Sequence, residues 1–294
     1  DLLMEALEKG VVLKGVGGNY DVACGTETVR CRAGGKVRQE GVLACGDRVT
    51  LRRSASGGYI TGREPRRNSL IRPAIANIDQ LVILCSQAPP VTDPYLVDKV
   101  TVVALYQGIQ PVILLSKADL DPSPALEETY RRAGFPVLRA SAVTGEGIEA
   151  LKARLAGKIS AFTGNSAIGK SSLLNRVDGR FSLQVGEMSQ KIQRGRHTTR
   201  HVELLRLENG GFVADTPGFS TFDAVRMEKL TRESLQHYFP EIGRCFGRCR
   251  FSDCHHIHEP GCAVRQAVEQ GEIAPSRYRS YQLLFAEVAG QKLW

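Results

Sequence analysis

One octapeptide constrains this chain more than anything else in it: Gly164-Asn165-Ser166-Ala167-Ile168-Gly169-Lys170-Ser171. It follows the apolar run Ile159-Ser160-Ala161-Phe162 and opens onto the helical sequence Ser172-Leu173-Leu174-Asn175. Strand, glycine-rich turn and helix, in that order, are the context that a Walker A phosphate loop requires, and the spelling matches as well. Backbone N–H groups and the helix N-terminus of such a loop cradle phosphate oxygens. Lys170 would reach the β- and γ-phosphates of a nucleotide and Ser171 would ligate Mg²⁺. Ser172, one residue on, completes the expected phosphate-contacting set.

A phosphate loop needs a parallel sheet to carry it, and the surrounding sequence supplies one. Between residues 71 and 222, apolar runs (Leu81–Cys85, Val112–Leu115, Val137-Leu138, Phe212–Ala214) alternate with helical stretches. Strands this apolar are buried on both faces, as in a sheet covered by helices. Asp215-Thr216-Pro217-Gly218 follows the last of them, about 45 residues after the phosphate loop. Asp215 would hold Mg²⁺ through water, and the Gly218 N–H would meet the γ-phosphate. Ser116-Lys117-Ala118-Asp119 ends the strand Val112–Leu115, where a ligand-reading loop belongs. The Asp119 carboxylate can accept from guanine N1 and N2, a pairing adenine cannot make, while the Lys117 stem packs along the base. After the strand Pro136–Arg139, Ser141-Ala142 would offer the Ala142 N–H to guanine O6. The loop from Lys191 to His201 has few apolar residues and contains a Mg²⁺ and γ-phosphate ligand, Thr198 or Thr199, of which Thr199 is preferred. Phe219 stands where Ras-like enzymes often place a water-orienting glutamine. His197 is then the candidate catalytic group, with RNA contact or solvent exposure as its alternatives.

The flanking regions differ from this pattern. Residues 1–70 carry short β-rich runs broken by glycine: 10–13, 19–22, 41–44, 47–51 and 58–61. They suggest a small antiparallel barrel, an OB-fold by length, with an SH3-like barrel close behind. This stretch has 12 basic and 8 acidic residues, half of the whole chain's net charge of +8. Its only aromatics are Tyr20 and Tyr59, so RNA affinity would come from phosphate contacts by Arg30, Arg32, Lys36, Arg38, Arg52 and Arg53. Residues 63–68 and 72–73 look like a basic, proline-stiffened linker. From 223 to 294 strands disappear, and 231–238, 263–270 and 277–289 read as helices. Eight cysteines without a secretion signal point to metal spacing and a cytosolic location rather than disulfides. Cys249, Cys254, His256 and Cys262 supply three thiols and one imidazole within fourteen residues, a Cys₃His set suited to tetrahedral zinc. Cys245 competes with Cys249 for that role, and His255 and His258 compete with His256. No run of about 18 apolar residues exists, which excludes a membrane helix.

Both guanine motifs precede the phosphate loop, the reverse of the Ras-like order. With Arg72–Gln80, Gly195–Thr199 and Asp215–Phe219, the chain resembles, essentially end to end, the circularly permuted, ribosome small-subunit-dependent GTPases of the RsgA (YjeQ-like) family. The resemblance implies an N-terminal OB-fold (1–70), a permuted GTPase domain (71–222) and a C-terminal, mostly helical zinc domain (223–294). It implies GTP hydrolysed to GDP, stimulation by the small ribosomal subunit and its rRNA, and a role in late subunit maturation. The family pattern falls on Cys249, Cys254, His256 and Cys262; with all four positions protein-filled, that zinc would be structural. A monomeric cytoplasmic protein is expected. An RNA-binding P-loop switch acting away from the ribosome is the alternative, and Asp119 with Ser141-Ala142 argues against an ATPase or small-molecule kinase. Two departures stand out. Ser116 replaces the asparagine of NKxD, which predicts weaker nucleotide affinity. Ala167 occupies a position commonly glycine, where a positive φ would strain it.

Overall fold

Five strands close on themselves at the start of the chain in the computed structural model, which describes residues 7–70, 74–121, 124–165, 167–181, 202–215 and 229–290. They are β1 (Glu8–Val16), β2 (Asn19–Cys24), β3 (Glu27–Ala33), β4 (Arg48–Ser54) and β5 (Gly57–Arg63), with helix α1 (Gly35–Gln39) between β3 and β4. Their order is β1-β2-β3-β5-β4, with β4 returning antiparallel to β1 and β3 parallel to β5. Closure leaves no strand edge unpaired. This OB-like order decides against the SH3-like alternative. Alternation fills the interior with Val12, Val22, Val29, Cys31, Leu51 and Ile60. Gly58 is obligatory here, because a Cβ would sit 2.5 Å from Cys31 Sγ.

Three sequence expectations need correction. The run Gly41–Ala44 is not a strand: Val42 is 83% exposed, and the chain between β3 and β4 is spent on α1 and a loop. The further strand is β3, whose outward Arg30 and Arg32 alternate with an inward Val29, Cys31 and Ala33. Residues 63–68 are not a free linker either. Arg66 grips the fully buried Asp47 with two bonds of 2.7 and 2.8 Å, and Arg67 pairs with Asp79 at 2.6 Å. A short antiparallel pair, β6 (Ser69–Leu70) and β7 (Ile75–Ala76), follows.

The α/β region continues with β8 (Gln80–Cys85), α2 (Pro94–Tyr106), β9 (Gln110–Leu115), α3 (Ala125–Ala133), β10 (Val137–Arg139) and α4 (Ile148–Leu155). Beyond these lie β11 (Ile159–Thr163), α5 (Lys170–Val177), β12 (Leu205–Arg206) and β13 (Phe212–Asp215). Every residue of β8 and β11 is buried, as the apolar runs require. Packing divides the chain into two units: Asp1–Gln80 with Arg154–Phe162 and Arg180–Thr216, and Leu81–Ala153 with Thr163–Gly179 and Pro217–Trp294.

In the first unit β11 runs parallel to β13, and β13 pairs antiparallel with β12. The barrel takes hold of the β12 segment directly. Leu204 N–H donates to Leu13 C=O at 2.9 Å, Lys14 pairs with Glu203 at 3.1 Å, and the Cys45 thiol donates to Val202 C=O at 3.0 Å. Arg206 donates to the Gly25 carbonyl in the β2–β3 turn.

In the second unit β10 runs parallel to β9, in the strand order β10-β9-β8. The C-terminal helices are α6 (Arg232–Leu235), α7 (Pro240–Gly243), α8 (Ala263–Glu269) and α9 (Pro275–Gly290), with a 3₁₀ turn at Gln236–Tyr238. They gather Leu235, Phe239, Ile242, Val264 and Tyr281 into one core that also takes in Val102 of α2. Arg277 lies inside it, 1% exposed, bonded to Asp98 of α2 at 2.8 Å and to Glu241 of α7 at 2.6 Å. The Phe239 ring lies 4.6 Å under its guanidinium, a desolvated cation–π contact.

Candidate nucleotide site and metal centre

The phosphate loop leaves β11 at Thr163 and enters α5 at Lys170. Gly164 runs so close to β8 that a Cβ would meet Leu84 Cβ at 3.0 Å and Leu84 C=O at 3.2 Å. Gly169 caps the helix at φ +97, a left-handed conformation that favours glycine. Ala167 has φ +62, so the expected strain at this departure is present. Lys170 is half-buried at the first position of the helix, Ser171 and Ser172 are exposed, and Asn165 is half-buried. Ser166, His197, Thr199 and Gly218 lie outside the described residues. Asp215 ends β13, and its backbone is in register with Phe162 of β11.

The two loops expected to read guanine are stitched to each other and to the phosphate loop. Ala118 N–H donates to Ala140 C=O at 3.1 Å, and Ala140 N–H donates to Leu115 C=O at 2.8 Å. Buried Ser141 turns its loop by accepting from the Val143 and Thr144 N–H groups at 3.2 and 3.1 Å. That leaves the Ala142 N–H without an acceptor among the described residues. Gly147 closes the loop at φ +72, where a Cβ would overlap the Arg139 carbonyl. Asp119 is exposed.

Ser116 has a job that the sequence did not reveal. Its hydroxyl, 4% exposed, donates to the Ile168 carbonyl at 2.8 Å and so ties the base-reading loop to the phosphate loop. The amide missing at this position is therefore replaced as a crosslink. Lys117 sits in the left-handed region at φ +57, with its ammonium donating to Pro89 C=O at 2.6 Å. The loop after β8 thus supports the lysine, a contact between distant residues that no local motif announces.

At the C-terminal end, Cys249, Cys254, His256 and Cys262 bring their ligand atoms within 4.8 Å of one another. The three sulfurs lie 3.5, 3.5 and 3.4 Å from His256 Nδ1. Metal–ligand bonds of about 2.3 Å to sulfur and about 2.0 Å to nitrogen in a tetrahedron place S and N about 3.5 Å apart. The residues therefore fit a tetrahedral cation. His256 Nε2 faces Gln236 Oε1 at 2.9 Å, which fixes the proton on Nε2 and frees Nδ1 as the ligand atom. The competing residues stand apart from this cluster. Cys245 points at Glu241 C=O, His255 packs on the Phe285 ring, and His258 is exposed. Burial pushes the Cys254 thiol up to about 12 and raises Cys262, so the thiolates would need a cation beside them. The Glu259 carboxylate gathers the backbone N–H groups of His255, Ile257 and His258, each at 2.9 Å. Burial alone would raise its pKa, but these bonds outweigh it and hold the carboxyl down to about 2.

A phosphate loop between β11 and α5, with the loops after β9 and β10 ahead of it in the chain, has the order of a circularly permuted P-loop GTPase. Comparison with known proteins agrees. The family model for the RsgA GTPase matches residues 63–225, and that for the RsgA N-terminal domain matches 9–60. A "Small ribosomal subunit biogenesis GTPase RsgA" of Moorella thermoacetica is 44% identical over 97% of this chain and 98% of its own. Among solved structures, YjeQ from Thermotoga maritima superposes with a TM-score of 0.80 at 34% identity, covering 98% of this chain and all of that one. YloQ, described as a circularly permuted GTPase, gives 0.82 at 30% identity over 99% and 98% of the two chains. The chain belongs to the RsgA GTPase family. It is a GTP hydrolase built as a closed barrel, a permuted GTPase domain and a C-terminal Cys/His cluster that could hold a metal. Among the described residues no helix is long and apolar enough to cross a membrane.

Proposed function

We propose that this chain hydrolyses GTP during biogenesis of the small ribosomal subunit, as a cytoplasmic monomer whose turnover rises when it docks on the subunit and its rRNA. What supports the reading above all is the near-full-length relationship to a protein named for that role. Residues 1–70, 71–222 and 223–294 serve as the RNA-binding, GTPase and zinc-binding parts. Lys117, Ala118 and Asp119 with Ala142 read the base, and Ser116 holds their loop in register. The phosphate loop, Lys170 and Ser172 take the phosphates. Mg²⁺, which would neutralise developing phosphate charge, falls to Ser171, Thr199 and, through water, Asp215; Gly218 meets the γ-phosphate and His197 orients water. Cys249, Cys254, His256 and Cys262 hold one structural zinc.

The barrel surface supports the RNA part with a refinement. Of the six cations expected to meet phosphates, Arg30 is paired with Asp21, Arg53 with Glu8 and Glu27, and Arg38 donates to Ala33 C=O. Arg32 and Arg52 instead face Tyr59 in register from either side, on β3 and β4, and Tyr59 is 48% exposed. An arginine–tyrosine–arginine row can stack an unpaired base and neutralise its phosphate. The reading is tested by GTP turnover with and without purified small subunits. Stimulation in wild type that is lost in an Arg32→Ala/Arg52→Ala variant supports it, whereas equal rates with and without subunits in wild type refute it.

A further inference from the structure

Remote from these motifs in sequence, α3 and the C-terminal helices border an open cleft of about 410 Å³. Three arginines line it: Arg132 from α3, and Arg244 and Arg248 from the turn after α7. Two of them are braced by backbone. Arg132 donates to the Gly271 carbonyl, and Arg244 donates to the Arg132 carbonyl at 2.7 Å. A guanidinium has five N–H donors, so each brace uses only part of its capacity. The Arg248 side chain has no hydrogen-bond partner among the described residues.

Two carboxylates also border the cleft, Glu241 and Glu272. Glu241 is already spent, since both its oxygens accept from Arg277, at 2.6 and 3.3 Å. Glu272 alone remains to offset three guanidinium charges, and the buried Ile273 forms part of an apolar wall beside them. The three arginines are exposed and share one cleft, so their charge is open to an incoming anion, and planar forked donors match phosphate oxygens in particular. We propose that this cleft is a phosphate-binding site, separate from the phosphate loop, taking a phosphoryl or phosphodiester group on Arg132, Arg244 and Arg248. It owes nothing to the ribosomal reading and stands or falls without it.

Calorimetric titration of the full chain tests the proposal, with saturating GDP keeping the phosphate loop filled. The probes are pyrophosphate and a short single-stranded RNA. Arg248→Gln should weaken pyrophosphate binding about tenfold, the loss of one charge-assisted bond pair. Glu272→Gln should strengthen it, a gain that a merely structural disturbance would not produce. RNA that displaces pyrophosphate with a steep salt dependence identifies a nucleic-acid backbone as the source. Pyrophosphate binding that RNA does not disturb identifies a free phosphorylated small molecule. Absence of pyrophosphate binding to the GDP-saturated protein, or affinity indifferent to both substitutions, overturns the site.

Discussion

Cysteine is used in two ways at the two ends of this chain, and the contrast separates two means of stabilising a small region. In the barrel, Cys24 and Cys31 are buried core members among valines and leucines, and burial pushes Cys31 up to about 11, so it remains a neutral thiol. The barrel stands on hydrogen-bond closure and an aliphatic interior. At the C-terminal end the helices α6, α7 and α8 have four, four and seven residues, too short to be stable alone. There Cys249, Cys254 and Cys262 converge on one imidazole, and a buried arginine is clamped between two carboxylates. Closed strands need only apolar alternation, whereas short helices need fixed crosslinks.

The contrast is most open to attack through the proposed zinc. Chelation should unfold the C-terminal part and spare the barrel, because the apparent folding energy of structural zinc sites is about 10–16 kcal/mol. Amide exchange resolved by segment would check this, and a C-terminal core still protected after complete metal removal would break the contrast. Next comes Arg277→Ala, which leaves Asp98 and Glu241 buried and unpaired and should cost about 3–5 kcal/mol in denaturant unfolding. Arg277→Met should cost no less while both carboxylates remain; the triple replacement with Asp98→Leu and Glu241→Leu should recover much of the loss. In the barrel, Leu51→Ala removes a side chain that is 0% exposed and should cost about 2–5 kcal/mol with no change in bound metal. The smallest effect belongs to Glu259. Its carboxyl is depressed from 4.5 to about 2, so its contribution is full above pH 4.5 and is lost as pH falls through 2. Glu259→Gln should flatten that part of the acid unfolding curve, and an unchanged acid limb would remove the carboxylate from the account.

Legibility in the sequence followed the range of each interaction. The phosphate loop and the Cys₃His spacing are each contiguous in the chain, and the turn from β11 into α5 and the cluster of Cys249, Cys254, His256 and Cys262 stand at those stretches. The strand β3 was missed because its outward arginines obscured the alternation at Val29, Cys31 and Ala33. The grip of Arg66 on Asp47 turned an apparent linker into part of the barrel, and nothing local to residues 63–68 forecast it. Arg277 finds Asp98 across 179 positions, beyond the reach of any periodicity. The crosslink from Ser116 to Ile168 spans 52 positions, so the motif at 116–119 does not announce it.

The grasp of the barrel on residues 202–206 has a mechanical consequence. Arg206 hangs from the β2–β3 turn, Leu204 from β1, and β12 pairs with β13, whose last residue is Asp215. A load applied to the barrel is therefore delivered through a two-strand lever to the residue that opens the Asp-Thr-Pro-Gly motif.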